Sequence, residues 1–177
     1  MATFLRILRL YPLALWVGGE IFFVIVAGIS FSVLPDKHSA GLVVRSALMD
    51  LHRIGIGAAV IYLLATLGLM AIERTGQRVR FIEIVLVAAM LLLTLYSQLG
   101  VIPQMENDRL SLGGDITTAA TGNPARQDFN RLHQRSVSLE GAVLLGGLVL
   151  IALAPIYDRR LQQVTSKNSN DLQQERQ

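Results

Sequence analysis

The sequence predicts an all-α integral membrane protein whose helices form a four-helix bundle. Of its 177 residues, 52% are apolar and 16% are charged, a balance typical of chains that face lipid. The apolar residues collect into four runs of about 20 residues each, which is the length that a helix needs to cross the hydrocarbon core. A soluble domain with one core would spread them more evenly, so the predicted class is a multi-pass membrane protein.

The four apolar runs give four predicted transmembrane helices in an antiparallel, up-down order. Their length and apolar content place the spans at about 11–34, 52–72, 81–102 and 137–157. These spans belong to one transmembrane domain, residues 1–160. Residues 161–177 are rich in Gln, Asn and Ser and bury too little apolar surface to offset the entropy of ordering, so a disordered tail is predicted.

Signals at the ends of the first helix separate it from a secretory signal peptide. The apolar run after Arg9 is longer than the roughly 7–15 residues of a signal core, and it contains Glu20. Pro35 ends the run, because proline cannot continue a helix. We therefore expect the first helix to remain in the membrane.

Local signals also define the other three helices. Apolar residues at helical spacing in 43–51 predict that the second helix begins ahead of its span. Gly76 lies in the turn before the third helix, where glycine supplies a left-handed cap. Asn123 followed by Pro124 has the form of an N-cap and a first helical residue, so a helix from Pro124 is expected to run into the fourth span.

Basic residues at the helix ends predict the orientation. Cytoplasmic segments carry an excess of Lys and Arg, and the turn between the second and third helices holds Arg74, Arg78 and Arg80. Because arginines also lie near both termini, we predict that the termini and this turn are cytoplasmic, which in a bacterium means the inner membrane. The lipid bilayer is then the main partner, and small-residue helix surfaces suit a homo-oligomer. Nucleic acid is not expected despite the net charge of +3, because the arginines do not form a patch interleaved with aromatic residues.

The residue types that are absent or isolated limit the chemistry. The chain has no cysteine, which excludes disulfides, thiolate metal sites and cysteine catalysis. Ser136 and Ser138 have no neighbouring base with an orienting partner, so nucleophilic catalysis has little support. The first expectation is therefore a non-enzymatic membrane protein of unknown specific role.

Among the polar side chains inside the predicted spans, three are candidate site residues, namely Glu20, Gln98 and Glu140. An ionisable group inside a membrane costs a few kcal/mol, so each acid marks a candidate site. Two interpretations remain open. The acids join helices by hydrogen bonds inside the bundle, or they relay protons or ions in a small-solute permease.

A second candidate site follows from residues that the predicted orientation places near the outer membrane surface: His52, His133, Met105 and Glu106. Imidazoles, a carboxylate and a thioether are ligands for a transition metal, and methionine favours Cu(I). The alternative is that these histidines cap helix ends or contact lipid headgroups. Histidine is also a common axial ligand of haem, so a haem- or quinone-binding oxidoreductase subunit is a further alternative.

Several short motifs carry a family resemblance. They are Trp16-Val17-Gly18-Gly19 with Phe22-Phe23, Leu34-Pro35, Pro103-Gln104-Met105, and Leu132-His133 with Ser136. In this order they resemble the transmembrane-protein-205-like family, four-helix membrane proteins whose bacterial members form a domain of unknown function. The first helix also resembles the copper resistance D-type membrane proteins, which implies metal handling. The resemblance marks Trp16, Gly18, Gly19, His133 and Ser136 as family signature and supplies no catalytic residue.

Overall fold

The computed structural model describes the backbone of residues 1–73 and 75–174, and the side chains of 1–73 and 75–153. It consists of α1 (Ala2–Val33), α2 (Lys37–Ile72), α3 (Gln77–Tyr96), a π-helix (Ser97–Val101), α4 (Ile102–Ser111) and α5 (Pro124–Gln174). Among the described residues, four helical stretches are long and apolar enough to cross a membrane: Ala2–Val33, Lys37–Ile72, Gln77–Ser111 and Pro124–Leu153. The chain is therefore a helical, multi-pass membrane protein.

The second helix begins well ahead of its predicted span, as expected from its apolar spacing. Asp36 caps its first turn by accepting hydrogen bonds from the backbone N–H of Ser39 at 2.7 Å and from the Ser39 hydroxyl at 2.8 Å. These bonds hold the pKa of Asp36 below its ordinary value. The cap is therefore complete at neutral pH and is lost as the pH falls through that lowered pKa.

Two predicted caps are confirmed. Gly76 adopts the left-handed conformation, with φ of 80°, immediately before α3. Asn123 accepts a hydrogen bond from the backbone N–H of Ala125 at 2.9 Å, and α5 begins at Pro124. Arg74, which contributed to the predicted orientation, lies outside the described residues.

The last helix, α5, extends into the segment predicted as a tail. The backbone is helical as far as Gln174, although the composition of 161–177 predicts disorder. Glutamine, lysine and leucine are good helix formers, so a segment that buries little apolar surface can still satisfy its backbone as a helix. The side chains of this tail lie outside the described residues, and its disorder stays a prediction.

The helices pack as a ring in which α1 contacts α2, α2 contacts α3, α3 contacts α5, and α5 contacts α1. The shared core consists of Leu13, Trp16, Val17, Ala58, Ala59, Tyr62, Val87, Met90, Val143 and Leu150. Large apolar side chains also cover the outer faces, for example Phe22, Leu64, Leu92 and Leu145. A bundle that is apolar on both its inner and outer faces suits a lipid environment.

The two signature glycines of α1, Gly18 and Gly19, have different surroundings. A Cβ atom on Gly19 would lie 2.9 Å from Leu51 Cδ1, so this glycine lets α1 approach α2 closely. A Cβ atom on Gly18 would meet nothing within 4 Å. Helix packing therefore explains Gly19 and gives no reason for Gly18.

Candidate functional site

Every transmembrane helix contributes a polar side chain to one buried cluster, here called the central site. Its members are Glu20 on α1, His52 on α2, Ser97 and Gln98 on the π-helix, and Glu140 on α5. Three of them, Glu20, His52 and Ser97, are almost fully buried. A polar group in a membrane must find its partner inside the protein, so this cluster ties all four helices together.

His52 is the centre of the cluster. Its ring is fully buried, with Nδ1 2.8 Å from Gln98 Oε1 and Nε2 2.8 Å from Glu140 Oε1. Because the Gln98 oxygen only accepts, Nδ1 carries a hydrogen. The Nε2 contact then needs one more hydrogen, which belongs either to the imidazole or to the Glu140 carboxyl. His52 and Glu140 thus share a proton between two heavy atoms.

Glu140 has more acceptor capacity than its neighbours use. Its Oε1 also accepts a hydrogen bond from Ser97 Oγ at 3.2 Å. Its Oε2 is buried and has no hydrogen-bond partner among the described residues. An unsatisfied buried acceptor costs about 1–3 kcal/mol, so a bound proton or a ligand is expected to occupy it in some state of the protein.

The π-helix supplies two consecutive residues to the central site. In this wide turn the backbone N–H of Ile102 donates to the carbonyl of Ser97, five residues earlier. Single π turns inside α-helices occur frequently at functional sites. Ser97 reaches Glu140 and Gln98 reaches His52 from this turn, so the local distortion coincides with the buried polar contacts.

Trp16 connects Glu20 to the core of the bundle. Its indole Nε1 donates to Glu20 Oε1 at 3.2 Å, and its ring is 1% exposed. The ring lies against α2 at Gly55, where an added Cβ would come within 2.5 Å of Nε1. Trp16 therefore reaches its position only because residue 55 has no side chain.

Replacing Gly55 with alanine is expected to displace Trp16 and to weaken its bond to Glu20. The added methyl group overpacks the core, and such changes cost about 1–3 kcal/mol. Trp16 is the only tryptophan in the chain, so its fluorescence reports the displacement directly. Gly57→Ala is the matched control, because a Cβ there meets nothing within 4 Å. Equal spectra for the two variants would contradict this account of Gly55.

A second polar cluster, here called the turn-end cluster, is partly buried and lies beside the turn between α2 and α3. It contains Arg6, Arg9, Glu73, Arg80 and Glu83. Arg9 Nη1 donates to Glu83 Oε2 at 2.6 Å, and both side chains are more than nine-tenths buried. Arg6 pairs with Glu73 at 3.0 Å, and Glu73 also pairs with Arg80. This cluster is a set of ion pairs in which each acid has an arginine.

An apolar layer separates the two clusters. Arg9 and Glu20 are eleven residues apart on α1, which is about 16 Å along the helix axis. Leu13 and Val17 lie between these two residues on α1, and both belong, with Met90, to the apolar core of the bundle. On the other side of the central site, Leu48, Leu51 and Ile102 form a smaller apolar cluster. The central site therefore lies between two apolar layers.

Sequence reasoning found the central site only in part. Of the predicted intramembrane polar groups, Gln98 and Glu140 contact His52 directly, and Glu20 interacts with it electrostatically. Gln98 and Glu140 bond to opposite nitrogens of that one ring. The link through His52 was not predicted, because the sequence suggested a position for His52 near the membrane surface.

The four predicted metal ligands have separate surroundings. His133 is exposed and stacks on Phe129 with ring centroids 6.4 Å apart. Met105 is half-buried, and Glu106 pairs with Arg109 at 2.7 Å and with Arg45 at 3.4 Å. Within the described residues, no group of three or more His, Asp or Glu side chains is arranged to hold a metal ion. The geometry does not support the metal site, which stays a prediction. Ser136, which the family resemblance marks together with His133, is buried.

The turn-end cluster was missed. In the sequence its arginines indicate orientation, and no local pattern singles out Glu83 near the start of the third predicted span. The sequence does contain one signal: Glu83 lies two residues inside one predicted span, and Arg9 lies at the start of another. Such pairing between distant segments cannot be recognised from local spacing alone.

The comparisons with known proteins identify a family and give no activity. A family model described as "Domain of unknown function (DUF4149)" matches residues 12–109. The matched stretch contains Trp16, Glu20, His52 and Gln98, and it ends before Glu140. No curated protein and no solved structure matches the chain.

Proposed function

The chain belongs to the DUF4149 family, whose function is unknown, and we propose that it is a proton-coupled carrier of small solutes. In this proposal the protein is not an enzyme, and His52 and Glu140 hold the exchangeable proton. The observation that carries the proposal is the 2.8 Å contact between His52 Nε2 and Glu140 Oε1 inside the bundle. Ionisable groups at such depth are costly, and they mark proton relays and substrate pathways in membrane proteins.

The chemistry of the pair suits reversible proton binding. Histidine is the side chain whose charge ordinarily changes between about pH 5 and about pH 8. A second acid, Glu20, lies close enough to interact electrostatically with both His52 and Glu140. Three ionisable groups in one site can together hold different numbers of protons, as a coupling site requires.

The same geometry favours a carrier over a haem protein. Both ring nitrogens of His52 are already engaged, one with Gln98 and one with Glu140. An axial ligand needs a free nitrogen lone pair directed at the iron. His133 is exposed and stacked on Phe129, so it does not share a site with His52.

Proton flux into vesicles tests the proposed function. Full-length protein is reconstituted into liposomes that contain a pH-sensitive dye, and a mixture of amino acids, sugars and polyamines is added outside, because a coupled carrier moves protons only with its solute. We expect flux well above that of protein-free vesicles, and a loss of at least about tenfold in Glu140→Gln, because a positioned acid–base group commonly contributes about 10²-fold or more to proton transfer. Asp128→Asn, an exposed acid on the same helix, is the matched control. Wild-type flux no greater than that of protein-free vesicles contradicts the proposal.

We also propose the up-down order of the helices, with both termini in the cytoplasm. The pairs of Arg6 with Glu73 and of Arg9 with Glu83 support this order, because they join the start of α1 to the turn between α2 and α3. Reporter fusions after Thr75 and after Gly114 are expected to lie in the cytoplasm and outside it, respectively. The reverse pattern would contradict the orientation, and a common side for both would contradict the helix order.

A further inference from the structure

The acids of this protein differ in whether they have a permanent cationic partner. Glu73, Glu83 and Glu106 each pair with at least one arginine. Even exposed acids such as Asp50 and Asp128 pair with arginines one helical turn away. Asp36, Asp108 and Asp115 form no ion pair with a lysine or arginine among the described residues, but they lie at helix ends or in the loop before α5. Glu20 and Glu140 also form none, although they lie inside the bundle.

The central site also has more hydrogen-bond acceptors than donors. Glu20 is 3% exposed and receives one hydrogen bond, from Trp16 Nε1. Glu140 Oε1 shares a hydrogen with His52 Nε2 and accepts a hydrogen bond from Ser97, while its buried Oε2 receives none from the described residues. A carboxylate accepts up to about four hydrogen bonds, so two buried carboxylates leave much acceptor capacity unused. A ligand that carries a positive charge and several N–H or O–H donors matches these unused acceptors.

Two other features restrict what that group can be. No metal-holding arrangement of His, Asp or Glu side chains occurs in the part of the chain that the structure describes. The aromatic ring of Trp16 lies beside Glu20, and aromatic rings stabilise organic cations and pack against their apolar parts. The site therefore suits an organic cation better than a bare metal ion.

We propose that the central site binds a small protonated amine, whose N–H groups donate to Glu140 Oε2 and to Glu20. This inference rests on the proposed function, because it names the class of solute that exchanges with the proton. The exchange of the amine for the proton conserves charge. The amine enters as a cation, the carboxyl that held a proton releases it, and the net charge of the site is unchanged. Binding requires the helices to part, since His52 and Glu20 are buried.

A pair of probe ligands tests the inference on the unaltered protein. Benzylammonium has N–H donors, whereas benzyltrimethylammonium has the same ring and charge without them. We expect calorimetric titration of the detergent-purified full chain to show binding of benzylammonium that is at least about tenfold tighter, as expected for charge-assisted hydrogen bonds. Equal affinity for the two probes, or no binding of benzylammonium, overturns the inference.

Two substitutions assign the binding to the central site. Glu140→Gln and Glu20→Gln each remove a negative charge, and each is expected to weaken benzylammonium binding by at least about tenfold. Asp128→Asn removes an exposed charge from α5 and is expected to leave the affinity unchanged. Unchanged affinity in Glu140→Gln overturns the assignment. If a variant fails to fold, the probe pair on the wild-type chain still decides the inference.

The inference and the proposed function can fail separately. Repeating the titration in buffers of different ionisation enthalpy measures the protons released when benzylammonium binds. Selective binding without proton release supports the amine site and contradicts its coupling to protons. Proton flux in vesicles without any selective binding supports the proposed function and overturns the amine site.

Discussion

Replacing Glu83 with glutamine is expected to lower the free energy of unfolding by about 3–5 kcal/mol, because it leaves the buried guanidinium of Arg9 without its carboxylate. Arg9 Nη1 and Glu83 Oε2 are 2.6 Å apart, and their side chains are 8% and 1% exposed. Arg9 also lies over the ring of Tyr62, with Cζ 5.4 Å from the ring centroid, so it cannot reach water without leaving the core. Unfolding in mixed detergent micelles measures the loss.

The ion pair itself contributes less than its rupture costs. A buried pair loses the hydration of both charges, so replacing both partners by apolar side chains is often neutral or stabilising. We expect Arg9→Met with Glu83→Leu to restore most of the stability that Glu83→Gln loses. Asp50→Asn, which breaks an exposed pair with Arg53, is expected to cost under about 1 kcal/mol. Similar losses for Glu83→Gln and Asp50→Asn would contradict a buried ion pair at the turn end.

The two histidines of the predicted metal site should respond very differently to substitution. His52→Ala leaves Glu140 and Gln98 without their shared partner and opens a cavity in the core, so we expect a loss of about 3 kcal/mol or more. His133→Ala removes an exposed ring that stacks on Phe129 one helical turn away. That loss is expected to be about 0.5 kcal/mol or less. Comparable losses would show that His52 is not the centre of a buried network.

The sequence was sufficient for the helices and for some of the polar groups inside them. Periodicity and length predict four transmembrane helices, and local chemistry predicts the caps at Gly76 and Asn123. Glu20, Gln98 and Glu140 could be recognised because a polar residue in an apolar run is conspicuous. Each of these signals is contained within a few neighbouring residues.

Contacts between helices could not be predicted in the same way. His52 lies at the edge of its apolar run, so it resembled a surface ligand, and its partners are 46 and 88 residues away in sequence. The sequence predicts that α2 begins ahead of its span, but no local signal shows that His52 faces Gln98 and Glu140 across the bundle. The π turn at Ser97–Val101 has no recognised sequence signal either, since glycine and serine occur in many membrane helices.

Nitrogen-15 NMR of the His52 ring tests the shared proton most directly. The chain has three histidines, so replacing His38 and His133 with glutamine leaves His52 as the sole imidazole signal. We predict that Nε2 shows a strong hydrogen bond to a proton shared with Glu140, and that Glu140→Gln shifts the Nε2 resonance while Nδ1, which faces Gln98, changes little. An Nε2 resonance that is the same with and without the Glu140 carboxyl would contradict the account.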